Sequence, residues 1–249
     1  MNKILVAIVS LLLAFQVNAQ NALLEKGNKE YSEQKYNDAI ASYEELLKTG
    51  VESAELYFNL GNAYYKAGKN TQAILNYERA KRLAPNDDDI QFNLDLANQH
   101  VVDAIKELPQ VFFVRWWKGL IKSKPTDSWG TYSLVSFFVF LGLLALYVFS
   151  SNNSLRRIGF WFGILSLVLS VLTFGFAKKQ KSQLDKHNYA IITQPSAAAK
   201  SSPSESGTNI FLIHEGLKVQ LVDQVGSWYE IRLADGNQGW LEADTMEKI

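Results

Sequence analysis

Two stretches of this chain, Tyr132 to Phe149 and Ile158 to Ala177, contain no Asp, Glu, Lys, Arg or His, and only Ser150 to Arg157 separates them. Each is close to the roughly 20 apolar residues that a helix needs to cross about 30 Å of hydrocarbon. Helices buried in a soluble core are usually shorter or keep a polar stripe, and these have neither trait. The pattern predicts a transmembrane hairpin over residues 132–177, with spans at 132–149 and 158–177. Its connection is too short to hold a domain, so the soluble parts before and after it must share one side of the membrane.

The 249 residues carry no net formal charge, yet the charge is unevenly placed. Gln20 to Leu108 has fifteen acidic and ten basic residues, and Ser201 to Ile249 has eight and three. The compensating cations flank the spans, at Arg115, Lys118, Lys122 and Lys124 and again at Lys178, Lys179, Lys181 and Lys186. That distribution suits anionic membrane lipids as a partner and gives no reason to expect nucleic acid. Residues 1–19 read as a signal peptide: Lys3, an apolar run from Ile4 to Phe15, and a small-residue cleavage site at Val17-Asn18-Ala19. An uncleaved anchor is the alternative, and in both cases the next domain is exported. The termini would then face the periplasm of an inner-membrane protein. The excess of basic residues on that side runs against the positive-inside rule, but the export signal acts first. With no cysteine, disulfides and thiolate chemistry are excluded.

A period of 34 residues overlies the helical spacing from Asn21 onward. Gly27 and Gly61, Ala39 and Ala73, and Tyr43 and Tyr77 are all separated by it, and Phe58-Asn59-Leu60 returns as Phe92-Asn93-Leu94. This is the tetratricopeptide period. The repeat domain is expected over 20–108, with units at about 20–52 and 54–87 and a capping helix over 88–108. That helix would begin at Asp87-Asp88-Asp89, where carboxylates accept backbone amide bonds, and would carry Ile90, Leu94, Ala97, Val101, Ile105 and Leu108 on one stripe. A divalent-cation site at the three aspartates is the competing reading. Residues 109–131 form an amphipathic segment, with Arg115, Lys118 and Lys122 on one helical face, expected to lie in the membrane interface. A plain juxtamembrane linker is its alternative. In the second span Gly159 and Gly163 make a small-xxx-small pair able to seat the first span.

After Lys186 the period drops from 3.6 to 2. Strands are expected at Tyr189–Thr193, Leu217–Val222, Trp228–Leu233 and Gln238–Leu241, with a polar loop over Ala199–Thr208 and a hairpin turn at Ala234–Asn237. The segment 186–249 resembles a bacterial SH3-like domain through Gly216, Trp228, Gly236, Gly239 and Trp240, which implies a small all-β barrel. Trp228 and Trp240 are candidates either for a ligand groove or for the barrel core. The fold class is thus a multidomain membrane protein: an all-α tetratricopeptide domain, a two-helix hairpin and an SH3-like barrel.

In this order the modules resemble the BatE-type proteins of bacterial aerotolerance operons. The resemblance implies a non-enzymatic membrane component acting beside a MoxR-type ATPase and membrane proteins with von Willebrand A domains. Independently, the chain lacks a phosphate-binding loop, a nucleophile elbow and a zinc-binding helix motif, and His100, His187 and His214 are scattered. No enzyme activity, cofactor or metal is expected. The expected role is a scaffold that binds protein partners. Carrying the repeat family's groove positions across gives Leu24, Asn28 and Tyr31, then Glu55, Phe58, Asn62 and Tyr65, then Asp89, Phe92 and Gln99. Of these, Asn28, Tyr31, Phe58, Asn62, Tyr65 and Phe92 are the candidate contacts, with Phe58 and Tyr65 as anchors for an apolar or basic segment. The competing function is recognition of peptidoglycan by the SH3-like module.

Overall fold

The computed structural model describes residues 20–103, 105, 111–185 and 188–249. The expected signal peptide, residues 1–19, lies outside the described residues, as do Leu108, Lys186 and His187. The chain divides into two compact units: the N-terminal helices together with the C-terminal strands, and residues 109–186 inserted between them in sequence.

The first unit starts with two helix pairs. α1 (20–32) is followed by α2 (Tyr36–Lys48), and α3 (Ala54–Lys66) by α4 (Asn70–Leu83). Ser53 caps α3 by accepting the Leu56 amide. The helix ends where Gly68 takes φ +76°, so that the amides of Gly68 and Lys69 close back onto Tyr65 O and Tyr64 O. The 34-residue period has a direct structural meaning. A Cβ on Gly27 would stand 2.5 Å from the Tyr43 ring, and one on Gly61 2.7 Å from the Tyr77 ring, so each unit's glycine is the seat of its own tyrosine. Tyr43 and Tyr77 are each 1 % exposed.

α5 (Asp88–Asn98) begins as expected, with the Asp87 carboxylate accepting the amides of Asp89 and Ile90. It ends ten residues before the expected 108. The amides of Gln99, His100 and Val101 bond three residues back, to Leu96, Ala97 and Asn98, which tightens and stops the helix. Ile90, Leu94 and Ala97 are buried on the helix, whereas Val101 and Ile105 leave it and pack against the strands.

Seven strands follow: β1 (Tyr189–Ile192), β2 (Ser196–Lys200), β3 (Asn209–His214), β4 (Lys218–Val225), β5 (Trp228–Arg232), β6 (Gln238–Glu242) and β7 (Met246–Lys248). They form one antiparallel sheet in the order β3-β2-β6-β5-β4-β1-β7. Among the described residues β3 and β7 close the order without pairing, so a closed barrel is not seen. β2 takes Ala199 and Lys200 out of the expected loop, and β3 and β7 add strands that the pattern did not mark. The 234–237 turn forms as expected, with Gly236 at φ +93° and the Leu233 amide bonded to Asn237 O.

Helices and sheet share a core. Ile191 and Ile249 belong to the same buried cluster as Ile74, Tyr77 and Leu94. Polar bonds ring this contact: Thr71 Oγ1 donates to Glu215 at 2.7 Å, Arg79 donates to Glu247 at 2.7 Å and to Lys248 O at 3.0 Å, and Lys218 pairs with Glu78. Asp103 accepts the His214 amide at 2.6 Å and lies 3.0 Å from its ring Nδ1. Gly216, at φ +84°, is pressed by Val101 and Ile74, since a Cβ there would meet them at 3.1 and 3.3 Å.

The second unit holds α6 (Phe112–Lys122), α7 (Thr126–Phe149) and α8 (Asn153–Asp185). Among the described residues α7 and α8 are the two helices long and apolar enough to cross a membrane, and both extend past the stretches inferred from hydropathy. The extensions are residues 126–131 of α7 and residues 153–157 and 178–185 of α8, more polar turns that hydropathy excludes but backbone hydrogen bonding does not. The inward positions of α8 repeat at spacings of four and three: Gly159, Gly163, Ser170, Thr173, Ala177 and Gln180 are buried, and Ser166 is half-buried. This is the left-handed coiled-coil seam. Small residues let α7 come close. Ser133 and Ser170 each donate to the other's backbone carbonyl, at 3.0 and 2.9 Å, and Ser166 donates to Ser136 O at 2.7 Å.

Candidate partner-binding groove

The first helix of each pair carries a Gly-Asn dipeptide, Gly27-Asn28 on α1 and Gly61-Asn62 on α3. The glycine admits the partner tyrosine of the second helix, and the tyrosine hydroxyl reaches the asparagine beside that glycine. Tyr43 donates to Asn28 Oδ1 at 2.7 Å, and Tyr77 donates to Asn62 Oδ1 at 2.8 Å. Asn59 Nδ2 adds a second donor to Asn28 Oδ1 at 3.3 Å and joins the two units. Asn28, Tyr31, Tyr43, Asn59 and Asn62 together line one cleft of about 260 Å³.

This network fixes the polarity of the cleft. A buried phenol has one proton to give, so each tyrosine holds the carbonyl end of its asparagine. The amide nitrogens of Asn28 and Asn62 are left as the donors lining the cleft. Burial pushes the Tyr43 phenol up to about 12, with Tyr31, Glu30 and Glu55 adding to the effect. Burial likewise raises Tyr77, and raises Tyr31 with help from Tyr36. These hydroxyls therefore remain protonated donors through the physiological range.

The six expected contacts do not all meet. Asn28, Tyr31 and Asn62 share the cleft. Phe58 is half-buried, its ring 6.0 Å from that of Tyr77, and it packs on the repeat core. Tyr65 lies 6.0 Å from His100 and also leans on the core. Phe92 on α5 is 69 % exposed and stands apart from the cleft. Tyr43, which the sequence marks only as a position of the 34-residue period, is also part of the cleft wall. The recurrence of asparagine after each glycine, 28 and 62, was the available signal for it.

On the sheet, Trp228 and Trp240 are only half-buried, and the buried positions of β5 and β6 are Ile231, Gly239 and Leu241. The strand alternation puts both tryptophans on the face opposite the core. Lys200 lies over the Trp228 ring at 5.4 Å and pairs in register with Trp240. The core reading of these tryptophans is therefore replaced: Phe211 and Tyr229 are the aromatics packed on the sheet's core.

A family model described as a tetratricopeptide repeat matches residues 24–88. No curated protein sequence matches the chain. Among solved structures, one described as the crystal structure of MamA protein is similar over 66 % of this chain and 89 % of that one, at 18 % identity and a TM-score of 0.31. Tetratricopeptide domains generally mediate protein–protein interactions and are typically non-catalytic scaffolds. The repeated glycine, asparagine and tyrosine lock falls inside the matched residues, and the chain is a tetratricopeptide-containing protein.

Proposed function

We propose that this protein is a membrane-anchored adaptor that captures an extended segment of a partner protein along the inner face of its repeats. The observation that carries this reading is the pair of tyrosine-locked asparagines, which present amide donors on one cleft between the two units. Backbone carbonyls of an extended chain are the matching acceptors. Tyr65 and Phe92 supply apolar surface beyond the cleft, while Glu55 and Asp89 favour a basic or neutral segment over an acidic one. Phe58, already packed on Tyr77, serves the fold before it serves a partner.

The hairpin holds this adaptor in the bacterial inner membrane. The core shared by the strands after the hairpin and the helices before it supports one common side for both flanks, and the export signal expected at residues 1–19 supports the periplasm as that side. The order of modules resembles that of the BatE-type components of aerotolerance systems, and on that resemblance von Willebrand A-domain membrane proteins are the proposed partners.

The test uses Asn28→Asp and Asn62→Asp, which keep an oxygen for the tyrosine hydroxyl and remove the donors. Capture of the native partner from membranes should weaken by about tenfold for each, the equivalent of roughly 1.4 kcal/mol. Unchanged capture by both variants would sink the groove. The second reading, peptidoglycan recognition, is favoured by the two tryptophans on the free face of the sheet. Loss of peptidoglycan sedimentation in Trp240→Ala, with partner capture intact in the asparagine variants, would establish it in place of the first.

A further inference from the structure

α6 is not a loose juxtamembrane linker, because it is tied to one end of the hairpin. Trp129 Nε1 donates to Ile121 O at 2.9 Å, and Gln180 Nε2 donates to Lys124 O at 3.2 Å. Phe176 of α8 receives Trp117 and Trp129 edge-on, at 5.4 and 5.1 Å between ring centres. Ile121 is thereby buried, at 3 % exposure.

This docking uses only part of the helix's apolar surface. At about 100° per residue, Val114, Trp117 and Ile121 occupy one side of the apolar arc and Phe112, Phe113 and Trp116 the other. The latter three remain 71, 67 and 58 % exposed. Arg115 lies on the remaining arc and is exposed. α8 continues straight past the aromatic cluster into Lys178, Lys179 and Lys181, all exposed, which lie roughly 3 to 8 Å beyond Phe176 along the axis at 1.5 Å per residue. From Asn153 to Ala177 the helix already rises about 36 Å, enough to cross the hydrocarbon. The three tryptophans thus lie where the hydrocarbon ends, and the cations lie just past them.

We propose that α6, the start of α7 and the basic turn of α8 form a collar that binds anionic phospholipid headgroups. Trp116, Trp117 and Trp129 lie at the level of the acyl boundary, and Arg115, Lys178, Lys179 and Lys181 meet the phosphates. The proposal rests on the hairpin spanning the membrane. It gives the one-sided cluster of cations a role in lipid selection, whichever way the hairpin is oriented. The opposite end of the hairpin is different: it offers Arg156 and Arg157, and Arg156 already lies over the Tyr147 ring at 5.6 Å.

The chain has no cysteine, so a single Gly119→Cys substitution can carry a polarity-sensitive dye. A Cβ at Gly119 meets nothing within 4 Å, and the position adjoins the basic arc. The labelled full chain is reconstituted into vesicles of phosphatidylcholine alone, or of three parts phosphatidylcholine to one part phosphatidylglycerol. Flotation with neutral vesicles after an alkaline wash is expected, and its failure would overturn the spanning reading and the collar with it. With flotation intact, a salt-sensitive dye response only in the anionic vesicles is expected. Added inorganic phosphate should not reproduce it. Replacing Arg115, Lys178, Lys179 and Lys181 together by Gln should weaken apparent affinity for the anionic lipid by about 100-fold, at up to ~1 kcal/mol per surface cation before screening. The double variant Arg156→Gln, Arg157→Gln should leave it unchanged. Equal responses in both vesicle types, or an equal loss in the double variant, would overturn the collar alone.

Discussion

A phenol buried against an asparagine makes Tyr43 the most informative single residue of the repeats. Its ordinary value of 10.0 is raised to about 12, first by burial and then by the neighbouring Tyr31, Glu30 and Glu55. The folded chain therefore keeps a proton that the unfolded chain releases near 10.0. The stability this contributes is complete below that value and is lost as pH rises toward about 12. Tyr64, which donates to Glu44, and Tyr77 are raised too, so the repeats should lose stability steeply in alkali. Urea unfolding over this window should show a shallower decline in Tyr43→Phe than in the parent, by up to about 1.4 kcal/mol per pH unit. An identical decline would mean that Tyr43 does not titrate there. Below 10.0 the same variant should be weaker by about 1 kcal/mol, because Asn28 loses its buried donor.

At the scale of elements, the hairpin turns two glycines that look equivalent in sequence into unequal ones. A Cβ on Gly159 would stand 2.8 Å from Leu143 O and 3.0 Å from Tyr147 N, both backbone atoms that cannot swing aside. A Cβ on Gly163 would meet Leu143 and Phe140 only at 3.8 and 3.9 Å, and Gly142 and Gly175 face open space. Gly159→Ala should therefore destabilise the helix pair by about 1 to 3 kcal/mol in detergent unfolding. Alanine at the other three positions should be tolerated, and equal costs at 159 and 175 would refute the packing argument. The glycine pair was legible because small-xxx-small is a local pattern. Its continuation through Ser166, Ser170, Thr173, Ala177 and Gln180 was masked by hydropathy, which scores these residues one by one and ignores their spacing. The same blindness affected the strands. β2 is alanine-rich and lacks the β-branched residues that mark strands, so its pairing with β3 and β6, not its own propensity, makes it one. Of the apolar stripe expected on α5, Ile90, Leu94 and Ala97 are buried on the helix, but Val101 and Ile105, half-buried, leave the helix and pack against the sheet. A one-dimensional period cannot separate those two outcomes.

For the whole molecule, the sequence marks residues 186–249 as a module separate from the repeats, whereas its strands share one unit with them. The joint is specific: α4 buries Glu78 at 7 % exposure, and that carboxylate depends on Lys218 from β4 for its charge partner. Ile191 of β1, fully buried, enters the cluster formed by Ile74, Tyr77 and Leu94. Truncating such a side chain removes its transfer energy and leaves a cavity, at about 2 to 4 kcal/mol. If the sheet were independent, Ile191→Ala would weaken strand hydrogen exchange protection and leave the helices as they were. One shared core requires instead that protection in α4 fall together with protection in β1 and β4. The expected result is a parallel drop in all three elements of the full chain, while the amides of α7 and α8, in the other unit, keep theirs. A drop confined to the strands would show that the C-terminal module is an independent domain and that the joint with α4 contributes little to its stability.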